Sequence, residues 1–296
     1  MTDGSPTDGN TSAAEAETTA AAAAAADAEA GATAGAAAVT LDRIAVYPVK
    51  SLDAEFVDAA DIVENGGLRG DREYAIFDED DEYVNGKRER AVLRIRSSVS
   101  LADGAVELSA PEMDDYDGSI AEADGWLSAY FGYPVELRRD PAGGFPDDTE
   151  ASGPTVISTG TLDAVASWFD GVDADEMRRR LRPNLVFDAS EPFWEDHLFD
   201  RRGTVVEFSV GGVAFEGVNP CQRCVVPSRD PDTGAETADF RTTFMTKRRE
   251  TLPEWSGGDW FDHDFRLMVN TAVPESSWGE TLSVGDAVTV GDIVPE

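Results

Sequence analysis

The stretch "NPCQRCVVPSRDPDTG", residues 219–234, holds Cys221 and Cys224, the only two cysteines of the 296-residue chain. Two thiols in C-x-x-C spacing suit several kinds of chemistry. A disulfide across so short a loop would be strained and would restrict the unfolded chain little. A structural zinc ion needs about four soft ligands. The chain offers only His197 and His263 besides the cysteines, far apart and outside finger-like spacing. A thioredoxin-type redox pair belongs at a helix N-terminus, where the dipole acidifies the thiol. Here Pro220 and Pro227 bracket the pair and no helical period follows. Two readings remain beside these. The cysteines are small buried residues, or one of them is a thiolate ligand on a rigid loop, with Arg223 beside it, for a soft-accepting transition metal. In the second case a cofactor brings the other ligands.

Such a cofactor needs cations to hold it, and in this chain cations are scarce. Lys50 adjoins Ser51; "GLRGDREY" sets Arg69 and Arg72 beside Gly66, Gly67 and Gly70; "NGKRER" supplies Lys87, Arg88 and Arg90. "RRRLRPN" supplies Arg178 to Arg180 and Arg182. Arginines flanked by glycine let guanidinium forks and backbone N–H groups approach a phosphate closely. Any one cluster is equally a solvated salt-bridge patch. Lys50 and Arg182 stand out because each adjoins an expected strand end. Ser158 and Thr159, in "STGT", open an expected helix; they either receive a phosphate or simply cap the helix. In "PFWEDHLFD", Asp196 and Glu195 beside His197 can move protons, although the flanking aromatics predict an amphipathic turn with its charges on the wet side.

The elements that must position these residues follow from hydrophobic spacing. "VTLDRIAVYPVKS" predicts a strand that breaks at Pro48 into a loop at Lys50 and Ser51. "REYAIFDEDDEYV" and "LRIRSSVSLADGAVELSA" predict further strands and a turn at Asp-Gly. In "SIAEADGWLSAYFG", Ile120, Ala123, Leu127 and Tyr130 fall at helical spacing, with Gly132 as the stop. "RRDPAGGFPDDTEASGP" is the best internal boundary. Beyond it come a short strand "TVIST", helices "GTLDAVASWF" and "DADEMRRRL", the second halted by Pro183, and a strand "PNLVFD". "GTVVEFSVGGVAFEGV" is a hairpin turning at Gly211 and Gly212, and its second arm leads into the cysteines. Strands "FRLMVNTAV" and "ETLSVGDAVTVGD" close the chain. Many short strands with few helices favour a β-barrel-like architecture over a doubly wound sheet.

Composition narrows the function classes. The chain has 59 acidic against 24 basic residues, a net charge of −35. That surface repels nucleic acid and anionic membrane, so neither is an expected partner. Only Lys50, Lys87 and Lys247 are lysines, and an acid-rich, lysine-poor chain suits a halophilic cytoplasm of high salt. No segment approaches the ~20 apolar residues of a membrane span. The acidic N-terminus lacks the basic region of a secretory signal. Residues 1–39, rich in alanine and acid, offer no apolar stripe and are expected to be a disordered tail.

The segments "VYPVKS", "GLRGDREYAIFDE", "LRPNLVF", "PFWEDHL" and "NPCQRCVVPSRDPDTG", in this order, resemble the MOSC family, named for the C-terminal domain of molybdenum cofactor sulfurase. The resemblance spans about residues 40–293 and includes the β-barrel domain that precedes MOSC in the amidoxime-reducing branch. It implies an α+β, mostly β fold: a smaller β-rich N-terminal domain over residues 40–140, then a barrel-like MOSC core over 150–296. It also implies a molybdenum cofactor, Mo-molybdopterin, in a cleft between the two. Cys224 would be the sulfur on molybdenum and Cys221 a nearby secondary thiol. Lys50, Ser51 and Arg72 would hold the anionic end, with Arg182, Asn184 and Arg223 helping. Two departures stand out. "NGKRERAVL" replaces the usual Thr-x-Arg-x-x-Pro, which puts Lys87 and Arg88 in doubt as contacts, and Arg229 replaces the usual Thr-Val before Asp-Pro at the pocket mouth.

The activity expected from the resemblance is that of an oxidoreductase reducing N-hydroxylated small molecules, with Asp230 and Asp196 as candidate proton donors. Two cysteines cannot ligate an iron–sulfur cluster, so electrons would come from a separate protein, ferredoxin-like or a flavoprotein. Sulfur transfer through a cysteine persulfide, and a non-catalytic cofactor carrier, stay open beside it.

Overall fold

The expected strands pair edge to edge through backbone hydrogen bonds. The structure, a computed structural model, describes residues 1, 38–148, 151–256 and 260–296; apart from Met1, Ala38 and Val39, the alanine-rich tail lies outside them. The strands are β1 (Thr40–Val46), β2 (Glu55–Val57), β3 (Ala59–Asp61), β4 (Tyr74–Phe77), β5 (Arg96–Val99), β6 (Ala105–Ser109), β7 (Tyr116–Ser119) and β8 (Glu136–Arg139). There follow β9 (Val156–Ser158), β10 (Leu185–Asp188), β11 (Thr204–Val210), β12 (Val213–Gln222), β13 (Arg266–Ala272), β14 (Thr281–Ser283) and β15 (Val288–Pro295). The helices are α1 (Asp124–Phe131), α2 (Thr159–Ala166), α3 (Ala174–Leu181) and α4 (Phe240–Arg249).

The largest sheet runs β15-β11-β12-β13-β9-β10-β1-β2. It curls until its ends meet. Leu41 N donates to Asp286 O (2.8 Å), Gly285 N to Leu41 O (2.7 Å) and Val288 N to Val39 O (2.9 Å). These bonds join β1 to the start of β15 and close a barrel, which removes the open edges a flat sheet would leave. Inward residues Leu41, Ile44, Val46, Phe187, Phe208, Phe215 and Val269 fill it. β9 and β10 pair in parallel, so the chain must cross over between them; α2 and α3 make that crossing. Both pack with α4 on the sheet's outer face through Leu162, Met177, Leu181, Phe240 and Phe244. A second core, with Val49, Ile76, Val92, Val106 and Leu127, lies among β4 to β8 and α1. Gly132 ends α1 in the left-handed conformation (φ 77°), as its sequence predicts. Among the described residues no helix is long and apolar enough to cross a membrane.

One expectation is corrected and one element is added. The charges of the 194–198 turn do not face water: Glu195 is 0% and Asp196 6% exposed, and only His197 is on the surface. Helix α4 is an addition to the sequence reading. Its Phe240 and Phe244, one turn apart, supply the packing, and Lys247, Arg248 and Arg249 sit where cations suit a helix C-terminus.

Candidate functional site

β12 carries the chain out of the barrel and delivers Cys221 and Cys224 to a cleft of about 420 Å³. Both thiols are free and half-buried. Arg223 is held by its Nη2, which donates to Leu181 O at 2.7 Å, while its Nη1 lies 3.1 Å from Cys221 Sγ. Among the described residues Cys224 Sγ takes part in no side-chain hydrogen bond, though Arg229 is near enough to act on it electrostatically.

Across the cleft, the segment after β1 bonds to the loop before β4. Tyr47 N donates to Asp71 Oδ1 (2.8 Å), Arg72 N to Tyr47 O (2.7 Å) and Lys50 N to Tyr74 O (2.7 Å). Lys50 Nζ donates to Asp147 Oδ1 (2.7 Å) and Phe145 O (2.9 Å). Burial lowers the Lys50 pKa despite the Asp147 partner. Desolvation pushes Asp147 upward, but Lys50 and Arg72 hold its carboxyl well below the usual range. Arg72 bridges to Asp71. Asn184 Nδ2 ties Asp71 Oδ1 (3.0 Å) to Ala45 O (3.0 Å).

Arg182 ends α3 in the left-handed conformation, φ 57° and ψ 51°. Its guanidinium stacks 4.1 Å over the Tyr47 ring, with Arg72 at 5.2 Å from the same ring. Desolvation lowers the Arg182 pKa, and Arg72 adds to the effect. Its Nη2 is buried without a hydrogen-bond partner. An unpaired buried guanidinium N–H is costly, and an anion entering the cleft would satisfy it. Ser51 (φ 77°) and Arg72 (φ 52°) share the left-handed backbone with Arg182. Such strain in residues other than glycine concentrates where a fold must aim groups at a ligand.

The cleft thus brings together Lys50, Ser51, Arg72, Arg182, Asn184, Cys221, Arg223 and Cys224. It does not bring Ser158, Thr159, Asp196 or Asp230 with them. Ser158 is fully buried, caps α2 and donates to Glu195 Oε2 at 2.7 Å. Thr159 Oγ1 donates to Ala189 O at 3.1 Å. Asp196 is clamped by Arg248 Nη2 at 2.6 and 2.8 Å, an arginine itself 0% exposed. Asp230 Oδ1 accepts from Thr233 N (2.8 Å), Thr233 Oγ1 (2.9 Å) and Asp232 N (2.9 Å), which stiffens its own turn. Each of these polar groups has local work that occupies it.

Residues the sequence reading passed over also line the cleft: Asp71, Asn85, Asp147, Asn219, Phe261 and Asn270. Asp71, next to Arg72, was legible as its partner; Asp147 carries no local signal. Of the two cations in "NGKRER" that the departure puts in doubt, Lys87 lines the cleft, whereas Arg88 is exposed and bridges Asp78 at 3.3 Å. Arg229 does not itself line this cleft; it reaches it only through Gly86 and Lys87, which do. It is 7% exposed, and it donates to Gly86 O and, at 3.4 Å, to Lys87 O.

A cofactor with an anionic end and a metal short of one ligand fits this donor set. Lys50, Arg72 and Arg182, the last with an unsatisfied donor, line the same cleft as the thiols. Among the described residues no three His, Cys, Asp or Glu side chains come together to hold a metal ion alone.

Two family models match the chain. The MOSC N-terminal beta barrel domain matches residues 38–134 and the MOSC domain residues 154–289. The chain is 24% identical over 235 residues to mitochondrial amidoxime-reducing component 1 of Danio rerio, covering 65% of this chain and 69% of that protein. It is 24% identical over 243 residues to mitochondrial amidoxime reducing component 2 of Bos taurus, covering 66% and 68%. Molybdenum cofactor sulfurase of Danio rerio is 23% identical over 254 residues, which is 69% of this chain but 30% of that protein.

Proposed function

Because the chain belongs to the MOSC domain superfamily, we propose that it is a molybdenum-cofactor-binding oxidoreductase that reduces N-hydroxylated compounds with electrons from a separate redox protein. One observation carries this reading. Cys224 and the unsatisfied Arg182 Nη2 share a single cleft with Lys50 and Arg72. The curated relatives named as amidoxime-reducing components favour reduction as the activity.

When bound, the cofactor supplies the two-electron chemistry that takes an oxygen from nitrogen. In net terms an N–OH group, two electrons and two protons give N–H and water. The chain's residues supply position and charge. Lys50, Arg72 and Arg182 offer fixed cations to the anionic end, with Ser51, Asn184 and Arg223 beside them. Cys224 offers one thiolate to the metal. Arg223 occupies Cys221 and thereby leaves a single thiol free to serve. Asp71 and Asp147 keep the cations aimed without neutralising Arg182. Protons come from water in the open cleft, since the buried carboxylates are engaged elsewhere.

The test is metal and activity analysis on protein purified at high salt. About one molybdenum per chain is expected, together with reduction of a benzamidoxime by the reduced-viologen-fed enzyme, and both should vanish in Cys224→Ser. A metal-free chain that carries a cyanide-labile sulfur would replace reduction by sulfur transfer. A bound cofactor that never turns over would make the chain a carrier.

A further inference from the structure

A second cavity, of about 450 Å³, adjoins the first; Ser51, Leu93, Arg180, Arg182 and Val226 line both. Six arginines line it, Arg96, Arg178, Arg179, Arg180, Arg182 and Arg229, against three aspartates. In a chain of net charge −35 this is a reversal of sign. Asp53, Asp175, Glu176 and Asp232 pair with four of the arginines. Among the described residues Arg182 and Arg229 make no salt bridge; Asp147 and Asp53 act on Arg182, and Glu236 and Glu89 on Arg229, only from farther off. Each also keeps one buried nitrogen, Nη2 and Nε respectively, without a hydrogen bond. Two unsatisfied guanidinium donors on one cavity call for an anion.

The wall has a second peculiarity. Phe56 is 50% exposed, and the guanidiniums of Arg178 and Arg43 lie 4.6 and 5.3 Å from its ring centroid. Both guanidiniums lie over the ring, and a guanidinium plane backed by an aromatic ring is a stacking platform for a nucleobase. The volume falls within the ~300–1,000 Å³ of small-ligand sites.

We propose that this cavity binds a nucleoside phosphate, the phosphate on Arg182 and Arg229 and the base on Phe56 and Arg178. The nucleotide is either free or joined through its phosphate to an anionic group held in the adjoining cleft. Only the joined form rests on the cofactor reading above; nucleotide binding itself does not.

The test is equilibrium dialysis of the full Cys224→Ser chain, in the salt that keeps it folded, against AMP, GMP, CMP and inorganic phosphate. Working on this variant separates the outcome from molybdenum loading. One nucleoside monophosphate should bind at one per chain, more tightly than phosphate by at least about fivefold. Adding Phe56→Ala should abolish that margin and leave phosphate binding unchanged. Adding Arg229→Gln should weaken both. Equal affinity for phosphate and all three nucleotides, no binding of any, or a margin that survives Phe56→Ala would each overturn the proposal. Mass spectrometry of the wild-type chain then separates the sources: a free nucleotide leaves intact in urea, and a joined one appears only after acid hydrolysis.

Discussion

Glu195 shows how burial alone changes a residue's chemistry. Its Oε2 accepts from Ser158 Oγ (2.7 Å) and Thr161 Oγ1 (2.8 Å), while Oε1 is buried without a partner. Desolvation, and then the neighbouring Asp196 charge, push its pKa up to about 7. In the unfolded chain it titrates near about 4.3. Below that value both states hold the proton and nothing is lost. As pH rises from about 4.3 toward 7, the unfolded chain releases its proton while the folded chain keeps it, so stability falls; above about 7 the loss is complete, roughly 3 kcal/mol. Glu195→Gln removes this dependence. The variant should therefore gain on wild type steadily between about pH 4.5 and 7.5 in urea unfolding. A constant difference across that range would show that Glu195 does not titrate there. Asp196, one position along, is pushed upward by burial too, but the Arg248 guanidinium clamps it and opposes that shift, and among the described residues Glu195 has no such cation.

At the scale of elements, the hairpin of β11 and β12 decides where the thiols arrive. Gly211 and Gly212 take positive φ at its turn, 61° and 98°, as the Gly-Gly step predicts. Farther along β12, Gly217 packs against the carbonyl of Leu198, and a Cβ there would fall inside the contact distance of that oxygen. The 194–198 turn cannot retreat easily, because Asp196 is fixed to Arg248. Gly217→Ala should cost about 1–3 kcal/mol or more. It should lower the melting temperature by several degrees, on the order of 2–4 °C per kcal/mol in a chain of this size. A melting temperature equal to wild type would mean that β12 and the turn are not in firm contact. The close approach could not be read from "VAFEGVNPC", since it depends on a turn that arrives from elsewhere in the chain. Helix α4 went unread in the sequence, although Phe240 and Phe244 stand at helical spacing before a basic last turn.

For the whole molecule, charge is the dominant fact. Fifty-nine acidic residues against 24 basic ones leave a surface that repels itself. The cations are largely spent inward, on Lys50, Arg72, Arg180, Arg182, Arg229, Arg248 and Arg266, all buried or half-buried. Salt screens the exposed carboxylates, since the Debye length falls to about 3 Å at about 1 M. The melting temperature should therefore climb as KCl rises from about 0.1 M to about 1 M and beyond. A value indifferent to salt would mean that self-repulsion does not limit this fold.

By itself the sequence determined the local chemistry: the C-x-x-C loop behind a hairpin, the strand ends at Lys50 and Arg182, the cap of α1 and the sign of the surface. These are properties of residues a few positions apart, and spacing encodes them. The tertiary structure alone decided which charges meet. Lys50 finds Asp147 97 positions away, and Asp196 finds Arg248 52 positions away. Ser158, Thr159, Asp196 and Asp230 are kept from the cleft that gathers Cys224 with Arg182. A carboxylate or hydroxyl becomes functional or structural according to the partner within about 3 Å, and that partner is chosen by how the barrel closes.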